Sequence, residues 1–139
     1  MGADLYIEKM DNKDDRLWLE VSDRAVARGY FRDCYNAGGL FAVMSATLGK
    51  QLSWWEMSER VGLKDRVLPL AQVIKWQADL EPLIAAFKRR RVLYYNDYAT
   101  KKRGKVAKNQ IKEYHKWADR LMTFCNLAIE KESGIIWSV

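Results

Sequence analysis

The sequence predicts a mainly α fold: a single-domain bundle of about five helices over residues 1–139, whose N- and C-terminal segments can pair into a small two-stranded β ribbon. Three observations lead there. Apolar residues recur at spacings of three and four along most of the chain, and most clearly in its last third. Helix-start residues precede these runs, and glycines at 49, 62 and 134 follow them. No linker, internal repeat or low-complexity tract divides the 139 residues, a length typical of one domain with its own core.

Taken in order, Leu5 to Ile7 and Ile135 to Val139 are short, β-branched or aromatic, and too short for helices, which makes them the candidate ribbon. Asp11 and Asn12 can cap a first helix, with Asp14 and Asp15 complementing its dipole and Leu17, Trp18, Val21 and Ala25 forming its buried stripe. Gly29 interrupts any continuation to Tyr35. Leu40 to Leu48 reads as a buried helix ended by Gly49. Ser53-Trp54-Trp55-Glu56 is a capping box that starts a short helix, and Gly62 stops it.

Asp65 and Asp79 read as the next caps, because Pro69 and Pro82 follow each within a few residues; a single long helix kinked at Pro82 is the alternative. From Leu80 onward, Leu83, Ile84, Phe87, Tyr94 and Tyr98 share one helical face. Arg91 falls on that face, so it must snorkel, pair with an acid, or mark where the face leaves the core. Residues 100–104 form a polar, basic connector. The last helix, about 106–132, places Ile111, Tyr114, Ala118, Leu121, Met122, Cys125, Ala128 and Ile129 on one face, which Trp117 and Phe124 widen.

Composition is ordinary globular, 49% hydrophobic and 30% charged, with six tryptophans that must share the core or sit at an interface. Cys34 and Cys125 suggest reduced thiols, not a disulfide framework. The amino terminus has no secretory pattern, Tyr6 stands where a myristoylation signal needs Ser or Thr, and no apolar run reaches the roughly 20 residues of a membrane span. A cytoplasmic protein without membrane attachment is expected.

Catalytic and metal chemistry find few residues. His115 is the only histidine, and two cysteines cannot complete the familiar structural zinc sets, so no metal and no cofactor are expected. Cys125 follows His115 by ten residues on one predicted helix, roughly 15 Å along the axis, too far for a nucleophile pair. Cys34 sits in no nucleophile motif and reads as a structural thiol, and His115 as a helix-surface residue. Gly49-Lys50-Gln51 fails as a phosphate loop, and Gly38-Gly39 fails as a dinucleotide fingerprint. Tyr30 to Asn36 mixes aromatic, guanidinium, carboxylate and amide groups, which suits either a pocket or a helix junction; the junction is the expected reading.

Charge supplies the one functional signal. The net charge is +6, yet residues 88–108 carry nine Lys/Arg against one Asp, and the remaining residues sum to −2. Such a stretch meets an anionic partner or acids within its own fold. The expectation is a non-enzymatic cytosolic interaction protein that presents a basic, tyrosine-bearing helix and loop to an acidic protein partner or to a second copy of itself. Its binding set is Lys88, Arg89, Arg90, Tyr94, Tyr95, Lys101, Lys102, Arg103, Lys105 and Lys108, with Trp54 and Trp55 as aromatic anchors. The alternative is sequence-tolerant nucleic-acid binding through the same element, with tyrosines stacking on unpaired bases. An enzyme of unrecognised type is third.

Overall fold

A computed structural model describes residues 2–12 and 20–138. The fold is mixed α and β, not the helical bundle expected. The described residues are 48% helical and 20% strand, with a four-stranded antiparallel sheet and a two-stranded hairpin beside five α-helices.

The sheet consists of β1 (Gly2–Ile7), β2 (Tyr30–Cys34), β3 (Val67–Leu68) and β6 (Ile135–Ser138), in the order β2-β1-β6-β3. The terminal segments do pair, Leu5 opposite Trp137 and Ile7 opposite Ile135, but as the two central strands of this larger sheet. Period-two alternation decides the faces: Ala3, Leu5, Ile7, Phe31, Ile135 and Trp137 are buried on one side, while Asp4, Tyr6, Arg32 and Ile136 occupy the other. On that other face Arg32 pairs with Asp4 at 2.7 Å.

The expected first helix is mostly absent from the described residues. Residues 13–19, including Asp14, Asp15, Leu17 and Trp18, lie outside them, and α1 is the short segment Asp23–Ala27. Its cap is Ser22, whose Oγ accepts from the Ala25 amide at 3.1 Å. Asn12 is buried, and its Nδ2 donates to the Ile7 carbonyl at 2.9 Å and the Gly29 carbonyl at 3.1 Å, tying the end of β1 to the turn before β2. Gly29 holds that turn at φ +83°, in the left-handed region.

The other helices are α2 (Leu40–Leu48), α3 (Trp54–Arg60), α4 (Leu70–Lys88) and α5 (Ile111–Glu130), the last entered through a 3₁₀ turn at Lys108–Gln110. α4 runs unbroken through Pro82, so Asp79 lies inside it, and Asp65 belongs to a left-handed turn before β3 at φ +53°. α4 and α5 pack together beneath the sheet, presenting Val73, Trp76, Leu80, Ile84 and Phe87 from one and Ala118, Leu121, Phe124, Cys125 and Ala128 from the other. Trp54, Trp76 and Trp137 meet at this core, with ring centroids 5.0–6.1 Å apart, and Phe41 stacks on Trp54 at 4.2 Å. Three tryptophans thereby share one buried cluster.

The largest departure lies between Lys88 and Lys108. The helix expected to carry Tyr94 and Tyr98 ends at Lys88, and the chain continues as β4 (Tyr94–Asp97) and β5 (Lys102–Lys105), an antiparallel hairpin. Beyond Phe87 three consecutive arginines offer no apolar residue to hold a helical face on the core, whereas buried Leu93 and Val106 clamp the base of a hairpin, with the Val106 amide donating to the Leu93 carbonyl at 2.9 Å. At the tip, Asp97 Oδ1 accepts from the Ala99 and Thr100 amides at 3.0 and 3.4 Å, and Lys101 takes φ +56°, which reverses the chain. Thr47 at the end of α2 docks the hairpin: its Oγ1 accepts from the Tyr94 amide at 2.9 Å. Gly104 leaves room for the Tyr95 ring, whose outer edge a Cβ at that position would meet at 2.4 Å.

Candidate functional site: a basic hairpin beside an aromatic cleft

The hairpin rearranges the predicted binding set into three groups. Lys88 is held by the fold, its Nζ 2.7 Å from the Asp119 carboxylate on α5. Arg89, Arg90 and Arg91 occupy the exposed link between α4 and β4. Lys101, Lys102, Arg103 and Lys105 line the tip and the outer strand, and Lys108 is exposed on the 3₁₀ turn. Apart from Lys88, no cation of residues 88–108 makes an ion pair among the described residues. Arg91, singled out by its place on a supposed buried face, is exposed and has no acid partner there.

Register brings part of the charge together. Lys105 pairs across from Tyr94, so the end of β5 returns beside the arginine link, while Asp97 opposite Lys102 marks the far end. The two ends are three residues apart along the strand, roughly 10 Å at ~3.4 Å per residue. The cations therefore follow the hairpin as a track with two denser ends. Arg103 lies over the Tyr94 ring, 3.7 Å from its centroid, which holds the guanidinium extended along the strand. Tyr95 is half-buried over Gly104 and packs on the core, whereas Tyr98 in the tip is 68% exposed.

Beside the hairpin opens a cleft of about 610 Å³, within the size range of small-molecule sites. Its walls come from the end of β2, from α2, from the segment entering α3, and from Asn96 and Tyr98 of the hairpin. Tyr35, Trp55 and Tyr98 bring exposed rings to it, and Trp55 is 72% exposed, a rare state for the largest apolar side chain. Trp54 lines its floor but is only 3% exposed: its ring belongs to the core, so Trp55 alone of the predicted pair offers a free surface. Their opposite fates follow from adjacency on a helix, where neighbours point about 100° apart.

The frame under the cleft is a buried carboxylate of the Tyr30 to Asn36 segment, which was expected to be a junction where its polar groups find partners. Asp33, fully buried at the end of β2, accepts four hydrogen bonds: from the Cys34 and Leu40 amides at 2.7 Å each, the Phe41 amide at 3.0 Å and Trp54 Nε1 at 2.6 Å. One side chain thus ties β2 to the N-terminus of α2 and to the first residue of α3. Burial pushes the Asp33 carboxyl above its ordinary value, and the four N–H donors oppose that shift. Gly39 permits the close approach, since a Cβ there would stand 2.2 Å from the Cys34 carbonyl oxygen. The signal was present in the sequence: α2 starts after Gly38-Gly39 with no Ser, Thr, Asp or Asn at its own cap position. Asn36, just before the glycine pair, accepts from the Gly38 amide at 2.9 Å.

Burial, and then Asp33, push the Cys34 thiol up, away from the thiolate a nucleophile needs. No hydrogen bond joins Cys34 to His115. His115 is half-buried, not at the surface as expected, with its ring edge-on to Phe87 at 5.6 Å. Among the described residues, no group of three or more His, Cys, Asp or Glu is placed to hold a metal ion, and no helix is long and apolar enough to cross a membrane. No protein-family model, curated protein or solved structure matches the chain.

Proposed function

We propose that this protein is a non-enzymatic binding module and that its β4–β5 hairpin holds the backbone of single-stranded nucleic acid, a contact that by itself has little sequence preference. The observation that carries this reading is the setting of Tyr98: an exposed ring in a hairpin tip, with Lys101, Lys102 and Arg103 three to five residues further on, none with an acid partner among the described residues. Cations spaced along an extended strand suit a phosphate backbone, and an exposed ring beside them suits an unpaired base. An acidic protein segment, or the acidic residues of a second copy, would meet the same cations, but a single strand presents an anionic phosphate and a planar base at every residue, which suits the close pairing of cations with exposed rings.

Fluorescence anisotropy with labelled single-stranded and duplex oligonucleotides at low salt tests the proposal, with polyglutamate as competitor. Single strands are expected to bind more tightly than duplex, and polyglutamate of equal charge to displace them poorly. Equal displacement by polyglutamate favours the acidic-protein reading, and the absence of any retained oligonucleotide at low salt rejects nucleic-acid binding.

A further inference from the structure

We infer that the cleft between the hairpin and α3 is a pocket for one unpaired, amino-bearing base, held between exposed aromatic rings with the Glu56 carboxylate as acceptor for its exocyclic amine. The inference rests on the nucleic-acid reading of the hairpin and adds a second, chemically distinct half to the site. The division is visible in the charges. Among the described residues lining the cleft none is basic and Glu56 is the one charged group, whereas the adjoining hairpin is a track of cations. A phosphate is excluded from the cleft by that carboxylate and drawn to the hairpin; a neutral planar ring with hydrogen-bond donors fits the cleft.

Glu56 is available for this role because its expected local partner does not use it. The capping box is half made: Ser53 Oγ accepts from the Glu56 amide at 3.1 Å, but the Glu56 side chain makes no return bond to the Ser53 amide. Its Oε2 makes no hydrogen bond and stands in a long i,i+4 ion pair with the Arg60 guanidinium at 3.7 Å, while the side chain as a whole is 40% exposed. The Gln51 and Asn96 side-chain amides, from the segment entering α3 and from β4, also make no hydrogen bond among the described residues and can meet the remaining edge of a base. Trp55 and Tyr98, the two most exposed aromatic side chains described, supply the stacking faces. A carboxylate in an aromatic cleft also suits a quaternary ammonium ion. The flanking cations repel such a ligand, which leaves the neutral base as the better occupant.

Oligo(dC) and oligo(dT) of equal length separate the elements of the claim, because both are pyrimidines and cytosine alone carries an exocyclic amine. Titrations followed by tryptophan fluorescence should show quenching by both, with oligo(dC) about tenfold tighter, the scale of a hydrogen bond to a charged group. Glu56→Ala should remove the preference by weakening oligo(dC) while leaving oligo(dT) no weaker. Trp55→Ala, at a surface position that the fold does not need, should weaken both by about tenfold, as should Tyr98→Ala. Salt-dependent binding with equal affinity for the two oligomers, unchanged in Trp55→Ala, overturns the pocket and leaves the hairpin reading standing. Failure of either oligomer to bind at low salt overturns both. Quenching by tetramethylammonium chloride beyond that of sodium chloride at equal ionic strength overturns the base assignment in favour of a cationic ligand.

Discussion

Asp33 beneath the cleft and the cations of the hairpin beside it live under opposite rules. Asp33 has no exposure and four N–H donors, and three of those bonds hold one element to another. The cations from Arg89 to Lys108 are exposed, and no acid among the described residues answers them. The contrast teaches that charge placed at a junction becomes fold chemistry, because an unpaired buried charge is too costly to keep. Charge left unpaired at the surface stays available to a partner. Lys88 marks the border: it belongs by sequence to the basic run and by contact to the α4–α5 pair.

The sharpest way to break the comparison is to treat Asp33 as though it were a surface charge. Asp33→Ala should destabilise the protein by about 3 kcal/mol or more, since four N–H groups lose their acceptor at once. Urea unfolding monitored by circular dichroism reads that loss, and a change below ~1 kcal/mol would show that the junction tolerates unpaired donors. Gly104→Val, which drives a side chain into the Tyr95 ring, should cost about 2 kcal/mol in the same assay and weaken oligonucleotide binding by distorting the hairpin. Thr47→Val removes the acceptor of the Tyr94 amide and should cost about 1 kcal/mol, with hydrogen exchange quickening first at Tyr94. The smallest effect belongs to Lys88→Ala: a partly exposed pair contributes less than about 1 kcal/mol, and oligonucleotide affinity should not change, because this lysine is already taken by Asp119.

The same contrast explains what the sequence made legible. Helix boundaries marked by local chemistry were readable: Gly49 in the left-handed cap of α2, Ser53 at the start of α3, and the apolar face of α5. Strands of two to six residues were not, apart from the terminal segments, because their alternation is too short to outweigh the neighbouring helical pattern and their pairing spans up to 134 residues. Tyr94 and Tyr98 fell at helical spacing from Phe87 by coincidence. Asn96-Asp97, a turn-forming pair after the aromatic and β-branched run Val92 to Tyr95, was the contrary signal. The cations of the site were legible as composition. The cleft was not, because Tyr35, Trp55, Glu56 and Asn96 converge only when the sheet, α3 and the hairpin are assembled.

The central claim, that the unpaired cations of the hairpin bind the backbone of a single strand, is tested most directly by the salt dependence of binding. Each phosphate neutralised on a single strand contributes about −0.7 to the slope of log K against log salt. Alanine at Lys101, Lys102, Arg103 and Lys105 together should leave stability within about 1 kcal/mol, as exposed substitutions do, while the slope for oligo(dT) becomes shallower by roughly 3. An unchanged slope in a variant that folds as the wild type does would contradict the account and place any binding elsewhere on the protein.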